Sequence, residues 1–246
     1  MKTAVVTGGA SGLGQGVCRH LAETGHRVAV LDLNGDAAQA LATELTEAGH
    51  SALAFGVDVS DRTAVEVAYN AVRAELGPID ILVTSAAYIA FTPFAEIAPA
   101  QWQRMMDINL TGTFHCVQLA LPDMVAAQWG RIVTIASYAG VGGSQAQGHY
   151  SATKGGVIAM TKTVAVEYAA QGITANSIAP FAVDTPGLRQ FQNGGGLPEH
   201  AVLETMIPAG RLGTADDIAA TVGFLCSDAA SYMTAQVLSP NGGAAR

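Results

Sequence analysis

Tyr150 and Lys154 stand four residues apart in "GHYSATKGGVIAMTK", residues 148–162. On a helix, positions i and i+4 share a face, so the phenol and the ammonium reach into the same space. A lysine cation beside a phenol favours the phenolate and draws its pKa below the usual ~10. Such a pair is a usable general acid/base for exchanging a proton with a substrate oxygen. An isolated Tyr-x-x-x-Lys also arises as an incidental pair on a surface helix, so its surroundings decide. Ser137 ends an apolar run 13 positions earlier, and the loop between can bring its hydroxyl beside the phenol. Asn109, in "DINLTG", lies on the helix that precedes that run.

A second constellation sits near the start of the chain. "TGGASGLG", Thr7–Gly14, follows a strand-like run and opens a helical one, with Gly8, Gly12 and Gly14 in a GxxxGxG spacing. Glycines there permit a tight turn and let backbone N–H groups approach a pyrophosphate, which the positive end of the helix favours. Asp32 ends the next apolar run, about 20 residues on, where a carboxylate accepts hydrogen bonds from ribose hydroxyls. It would repel a 2′-phosphate, and no Arg or Lys lies within 28–50 to offset it, so NAD(H) is expected over NADP(H). Asp58-Val59 offers a carboxylate and a backbone amide to an adenine; Asp58 as a helix N-cap is the competing reading.

These residues need a scaffold. The chain has 246 residues, 50% hydrophobic and 13% charged. Apolar runs at 2–8, 27–33, 51–59, 79–86, 130–137, 172–180 and 235–240 are nearly continuous, as in strands buried on both faces of a parallel sheet. Segments of helical period lie between them, at 13–25, 36–48, 62–76, 99–127, 150–171 and 215–227. The alternation implies βαβ units: one α/β Rossmann domain over 1–246, a doubly wound parallel seven-stranded sheet with helices on both faces. Residues 184–210, rich in glycine and proline, read as a substrate-binding lid.

Composition excludes several classes. Net charge is −8 with only 12 Lys and Arg and no basic run, which gives nucleic acid nothing to hold. No apolar run approaches the ~18 residues of a membrane span. A strand so close to Met1 leaves no room for a signal peptide, and three scattered cysteines make no disulfide set or metal motif. A cytoplasmic location is expected, without a metal.

Taken together, "TGGASGLG", Asp32, "DV" at 58–59, "INLTG" at 108–112, Ser137, "YSATK" at 150–154, "NSIAP" at 176–180, "DTP" at 184–186 and the tail at 211–243 resemble the short-chain dehydrogenase/reductase family over essentially the whole chain. The resemblance implies an NAD(H)-dependent oxidoreductase interconverting a secondary alcohol and a ketone. Tyr150 would be the general acid/base, Ser137 would bind the same substrate oxygen, and Lys154 would tune Tyr150 and hold the nicotinamide ribose. Asn109 would fix its helix and a water leading to Lys154. The cofactor would meet Gly8, Ser11, Gly12, Leu13, Gly14, Asp32, Leu33, Asp58, Val59, Ser85, Ala86, Ala87, Tyr150, Lys154, Pro180, Val183 and Thr185, the last through the carboxamide. Substrate would meet Ser137, Gln147, Tyr150 and Phe181.

The chain departs from the family twice. Thr84-Ser85-Ala86-Ala87 stands where Asn-Asn-Ala-Gly is usual, which predicts a weakened or shifted cofactor. Phe181 follows Pro180 where glycine is common, and either lines the substrate pocket or packs away from it. The loop 138–149, Tyr88, Phe91 and the lid are mostly small or apolar, which suits an uncharged, hydrophobic or cyclic substrate. Gln145, Gln147 and His149 could orient a second polar group, although His149 reads better as a plain loop residue, and Arg189 as a solvated charge. A 3-oxoacyl-thioester reductase is the alternative, disfavoured by Asp32 because such enzymes usually take NADP. A non-catalytic NAD-binding regulator is more remote, since Ser137, Tyr150 and Lys154 are all kept. A sugar-nucleotide epimerase would need a larger C-terminal domain, and an enoyl reductase a wider Tyr–Lys spacing. Phe114, Val117, Leu121, Val157, Met160 and Val164 suggest apolar helix faces for self-association, and the family commonly forms a homotetramer.

Overall fold

All seven apolar runs form strands in the computed structural model, which describes residues 1–194 and 197–244. They are β1 Thr3–Thr7, β2 Arg27–Asp32, β3 Ala52–Gly56, β4 Ile81–Thr84, β5 Gly130–Ile135, β6 Ile173–Ile178 and β7 Val237–Leu238. Every pairing is parallel, in the order β3-β2-β1-β4-β5-β6-β7. β1, β4, β5 and β6 are buried along their whole length, whereas the edge strands β3 and β7 are mostly half-buried. That is why the central runs show no polar alternation.

Ten α-helical segments are described: α1 Gly12–Glu23, α2 Gly35–Glu47, α3 Arg62–Leu76, α4 Pro99–Met106, α5 Gly112–Ala127, α6 Ala139–Gly142, α7 Gly148–Tyr168, α8 Pro186–Asn193, α9 His200–Thr205 and α10 Ala215–Cys226. Val17 and Leu21 of α1, Leu41 and Leu45 of α2, and Ile218, Val222 and Leu225 of α10 cover one face of the sheet. Val65, Tyr69 and Val72 of α3, Cys116, Ala120 and Met124 of α5, and Ala165 of α7 cover the other. The fold is a doubly wound Rossmann-like sheet. Its crossovers diverge between β1 and β4, which leaves a crevice at the carboxyl ends of those strands.

Three local readings change. The single helix expected over 99–127 is divided by a π-helical turn at Asp107–Thr111. Such turns sit at functional sites, and this one holds Asn109 fully buried. Asp58 is not an N-cap: Asp61 caps α3 by accepting from the Thr63 and Ala64 amides, and the Asp58 carboxylate accepts from Ser60 instead. The segment 184–210, expected as a lid, carries α8 and α9, while Gly195 and Gly196 lie outside the described residues. Of the residues expected to serve self-association, Val117, Leu121 and Val157 are buried within the chain itself, and Phe114 stays 42% exposed.

The turn from β1 into α1 is the tightest joint. Gly8 has φ +62° and Gly12 φ +52°, the left-handed region that favours glycine. A methyl on Gly8 would lie 2.7 Å from the Ala86 backbone, and one on Gly14 would overlap the Gly8 carbonyl oxygen. Backbone cannot yield as a side-chain tip does, so Gly14→Ala should cost roughly 1–3 kcal/mol. We expect its thermal midpoint to fall by several degrees with loss of dinucleotide binding; an unchanged midpoint would show that the turn relaxes freely.

Candidate active site

The crevice opens into a cavity of about 1050 Å³. One end is built by the β1–α1 turn, where Gly8, Ser11, Gly12 and Leu13 line the wall. Ser11 stands at the N-cap of α1 without a side-chain cap bond, and the first turn holds no acidic residue. By contrast, α10 begins with a Thr214 capping box and two aspartates. The first amides of α1 are therefore left for an anion. Asp32 faces the same cavity, with Oδ2 accepting from the Ala10 amide at 3.0 Å and Oδ1 from the Asn34 amide at 3.0 Å. These bonds fix the carboxylate at the wall. Leu33, Asp58 and Val59 line the cavity beside it.

Opposite the turn, the Ser85 amide donates to the Thr7 carbonyl at 3.1 Å and the Ala86 amide to the Thr7 hydroxyl at 3.3 Å. Ala87 is not among the residues of positive φ, so the missing glycine is not needed for backbone conformation, and it lines the cavity. Val183 pairs with Gly213 in a parallel bridge, and the Thr185 hydroxyl accepts from the Leu188 amide at 3.2 Å, capping α8. Pro180, Val183 and Thr185 all line the cavity.

Tyr150, Ser137 and Lys154 meet at the centre of this wall. Lys154 is 3% exposed, and its Nζ donates to the Ile135 carbonyl at the end of β5, 2.7 Å away. Burial brings its ammonium down to a pKa of about 8. Tyr150 is 8% exposed, and burial pushes its phenol up to about 12, opposed by the neighbouring Ser137 hydroxyl. The expected depression of Tyr150 by Lys154 is therefore not what this arrangement gives. Nζ is turned toward the strand, 5.7 Å from the centre of the Tyr150 ring, and desolvation dominates both groups. Asn109 makes no direct hydrogen bond to Lys154. Its Oδ1 accepts from the Tyr88 amide at 2.7 Å and its Nδ2 donates to the Tyr88 carbonyl at 2.9 Å, while the Thr113 hydroxyl donates to the Asn109 carbonyl at 2.7 Å. Through the Thr153 hydroxyl, 3.3 Å from Nδ2, the same side chain reaches α7.

The rest of the wall is aromatic and aliphatic. Phe181 lines it, its ring edge-on to Tyr138 at 6.0 Å, while also packing with Leu203, Ile207 and Leu212 under the lid. Phe91 meets Phe191 of α8 at 5.2 Å, so the lid and the segment after β4 touch across the opening. Gln147 lines the cavity; Gln145 and His149 do not. His149 sits in the first turn of α7, fully buried, with neither ring nitrogen hydrogen-bonded and its pKa lowered by burial. Arg189 forms a two-pronged ion pair with Asp184 at 2.7 and 2.6 Å. Ala100, Gln103, Arg104 and Asp107 also line the cavity and were not anticipated. Their spacing of i, i+3, i+4, i+7 marks one helix face, the signal that could have found them. Among the described residues, no cluster of His, Cys, Asp or Glu could hold a metal ion, and no helix is long and apolar enough to cross a membrane.

Comparison with known proteins agrees with this geometry. A family model described as enoyl-(acyl carrier protein) reductase, adh_short_C2, matches residues 8–245. The chain is 40% identical to 2-dehydro-3-deoxy-L-rhamnonate dehydrogenase (NAD(+)) of Sphingomonas sp. (strain SKA58), covering 98% of this chain and 94% of that one. It is 39% identical to cis-4-hydroxycyclohexanecarboxylate dehydrogenase of Sinomonas cyclohexanicum, over 98% and 96%. The crystal structure of gox2181 superposes with a TM-score of 0.93 at 34% identity, covering 98% of this chain and 95% of that one. The chain belongs to the short-chain dehydrogenase/reductase family.

Proposed function

We propose that this protein is an NAD(H)-dependent oxidoreductase that interconverts a secondary alcohol and a ketone on a hydrophobic or cyclic substrate. The observation that carries the reading is the convergence of Ser137, Tyr150 and Lys154 on one cavity with the uncapped turn of α1 and Asp32. These residues fit a dinucleotide. The α1 amides suit its pyrophosphate, Asp32 its adenosine ribose, and the wall at Asp58 and Val59 its adenine. When bound, the nicotinamide supplies or takes up a hydride. Val183 and Thr185 would hold its carboxamide, and Lys154 its ribose. The rings of Tyr138, Phe181 and Phe191 on the cavity wall suit a carbon ring, and the relative from Sinomonas cyclohexanicum bears a cyclohexane in its name.

Tyr150 is the group that moves the proton. With its pKa raised to about 12 it stays protonated at neutral pH and donates to a carbonyl oxygen; in the reverse direction it must first release that proton to solvent, and as phenolate it then takes the proton of the alcohol. Ser137 hydrogen-bonds the same oxygen and stabilises charge that develops there. Asn109 positions the segment at Tyr88 and, through Thr153, the helix that carries both Tyr150 and Lys154. Helix α8, whose Phe191 meets Phe91 at 5.2 Å, would cover this side of the opening and help exclude water.

A cytoplasmic homotetramer completes the proposal. Phe114 and Val166, 42% and 76% exposed, lie on α5 and α7, and Phe224 and Tyr232 are exposed near the last strand. Solitary surface aromatics need no explanation, but paired helix faces of this kind suit association. Light scattering should give a mass four times that of the 25.1 kDa chain; a monomer would contradict this part.

Replacing Tyr150 by Phe removes the transferable proton with little change in shape. Turnover should fall at least about a thousandfold, while fluorescence titration still shows NADH binding; retained turnover would end the assignment. Lys154 gives a separate test. Below pH 8 the folded and unfolded chains both carry its proton, and burial of the charge weighs fully on the folded state. From about 8 to the ordinary 10.5 the folded chain has released that proton and the unfolded chain has not, so stability from this group rises with pH. Lys154→Met should thus be more stable than the parent below pH 8, by on the order of 3 kcal/mol at most. The gap should close towards pH 10.5 in denaturant titrations, and a gap independent of pH would contradict the buried ammonium.

A further inference from the structure

Gln147 occupies the N-cap of α7, a position where Ser, Thr, Asp or Asn serve best because a short side chain can reach the exposed amides. Its side chain makes no cap bond. It is 7% exposed, lines the cavity, and has no hydrogen bond to its amide from any described residue. An amide that opens on a cavity and is engaged by no described residue is available to a ligand there. Its backbone does serve the helix, accepting from the Ser151 amide at 2.8 Å, so only the side chain is unexplained.

We infer that Gln147 recognises a second oxygen of the substrate, a hydroxyl or keto oxygen on the carbon next to the reacting one. This rests on the reading of Tyr150 and Ser137 as the groups that hold the reacting oxygen. Gln147 and Tyr150 are i and i+3 at the start of one helix and both line the cavity. Three residues apart on the wall of one cavity, the two side chains can meet the same end of a ligand. A hydroxyl both donates and accepts, as does a primary amide. A carboxylate fits poorly. Of the two cations among the described lining residues, Lys154 is committed to Ile135 and Arg104 lies over the Tyr88 ring at 4.4 Å on α4. A carboxylate at Gln147 would have to draw Arg104 off that ring to gain a counter-ion. The preferred substrate is thus a vicinal diol, or the hydroxy-ketone it yields, on an otherwise apolar frame.

The test compares matched alcohols with NAD: cyclohexanol against trans-cyclohexane-1,2-diol, and 1-phenylethanol against 1-phenylethane-1,2-diol. A site that hydrogen-bonds a substrate hydroxyl rejects the analogue lacking it. The parent enzyme should favour the diol of a pair by ten- to a hundredfold in kcat/KM. In Gln147→Met, close in size but apolar, the ratio should fall to within about threefold of unity, with no loss of thermal midpoint. Should the Met variant not fold, Gln147→Asn, with its amide drawn back by one methylene, must lower the ratio as well. Equal kcat/KM for both members of every pair in the parent, or a diol preference that survives in the variants, would overturn this inference alone. Absence of turnover for every alcohol would overturn the oxidoreductase reading along with it.

Discussion

The buried ammonium of Lys154, held by one carbonyl at the end of β5, is the constraint around which this site is arranged. A charge that is 3% exposed is costly, and a single bond of 2.7 Å to Ile135 fills only one of three donors. The bond pins α7 to the carboxyl end of β5 and thereby sets where Tyr150, one turn earlier, points. It also leaves two donors without a partner among the described residues. The pKa near 8 expresses that cost before any ligand arrives.

Much of the fold exists to keep that arrangement fixed. β4, β5 and β6 are buried end to end, so their carboxyl termini cannot shift relative to one another. The π turn at Asp107–Thr111 interrupts a long helix so that Asn109 can clamp Tyr88 and reach Thr153 on α7. On the other side of the switch point, Gly8 lies against Ala86 so closely that neither segment can move alone. The two ends of the cavity, for dinucleotide and for substrate, are thus coupled through packed backbone.

Strand order and the helix faces were legible in the sequence because continuous apolar runs and helical periods are direct consequences of two-sided burial. Ser137, Tyr150, Lys154 and the glycine turn were legible because their chemistry and spacing are specific. Other features depend on contacts no local pattern carries. The break in 99–127 follows from a buried Asn109 bonding across 21 residues to Tyr88. Asp61, rather than Asp58, caps α3, a choice between two aspartates three apart that only geometry makes. The direction of the Tyr150 shift was also misjudged, because proximity in sequence says nothing of where Nζ turns or of how dry the site is. Lid residues such as Phe191 were placed only as a range, and the face of α4 at Gln103 and Arg104 was missed although its period was present.

Direct transfer of hydrogen between substrate carbon and nicotinamide is the central claim. It is tested by oxidising trans-cyclohexane-1,2-diol deuterated at both carbinol carbons with NAD and recovering the reduced cofactor for mass spectrometry. The account predicts one deuterium in each NADH formed. NADH without label would contradict direct transfer within this cavity.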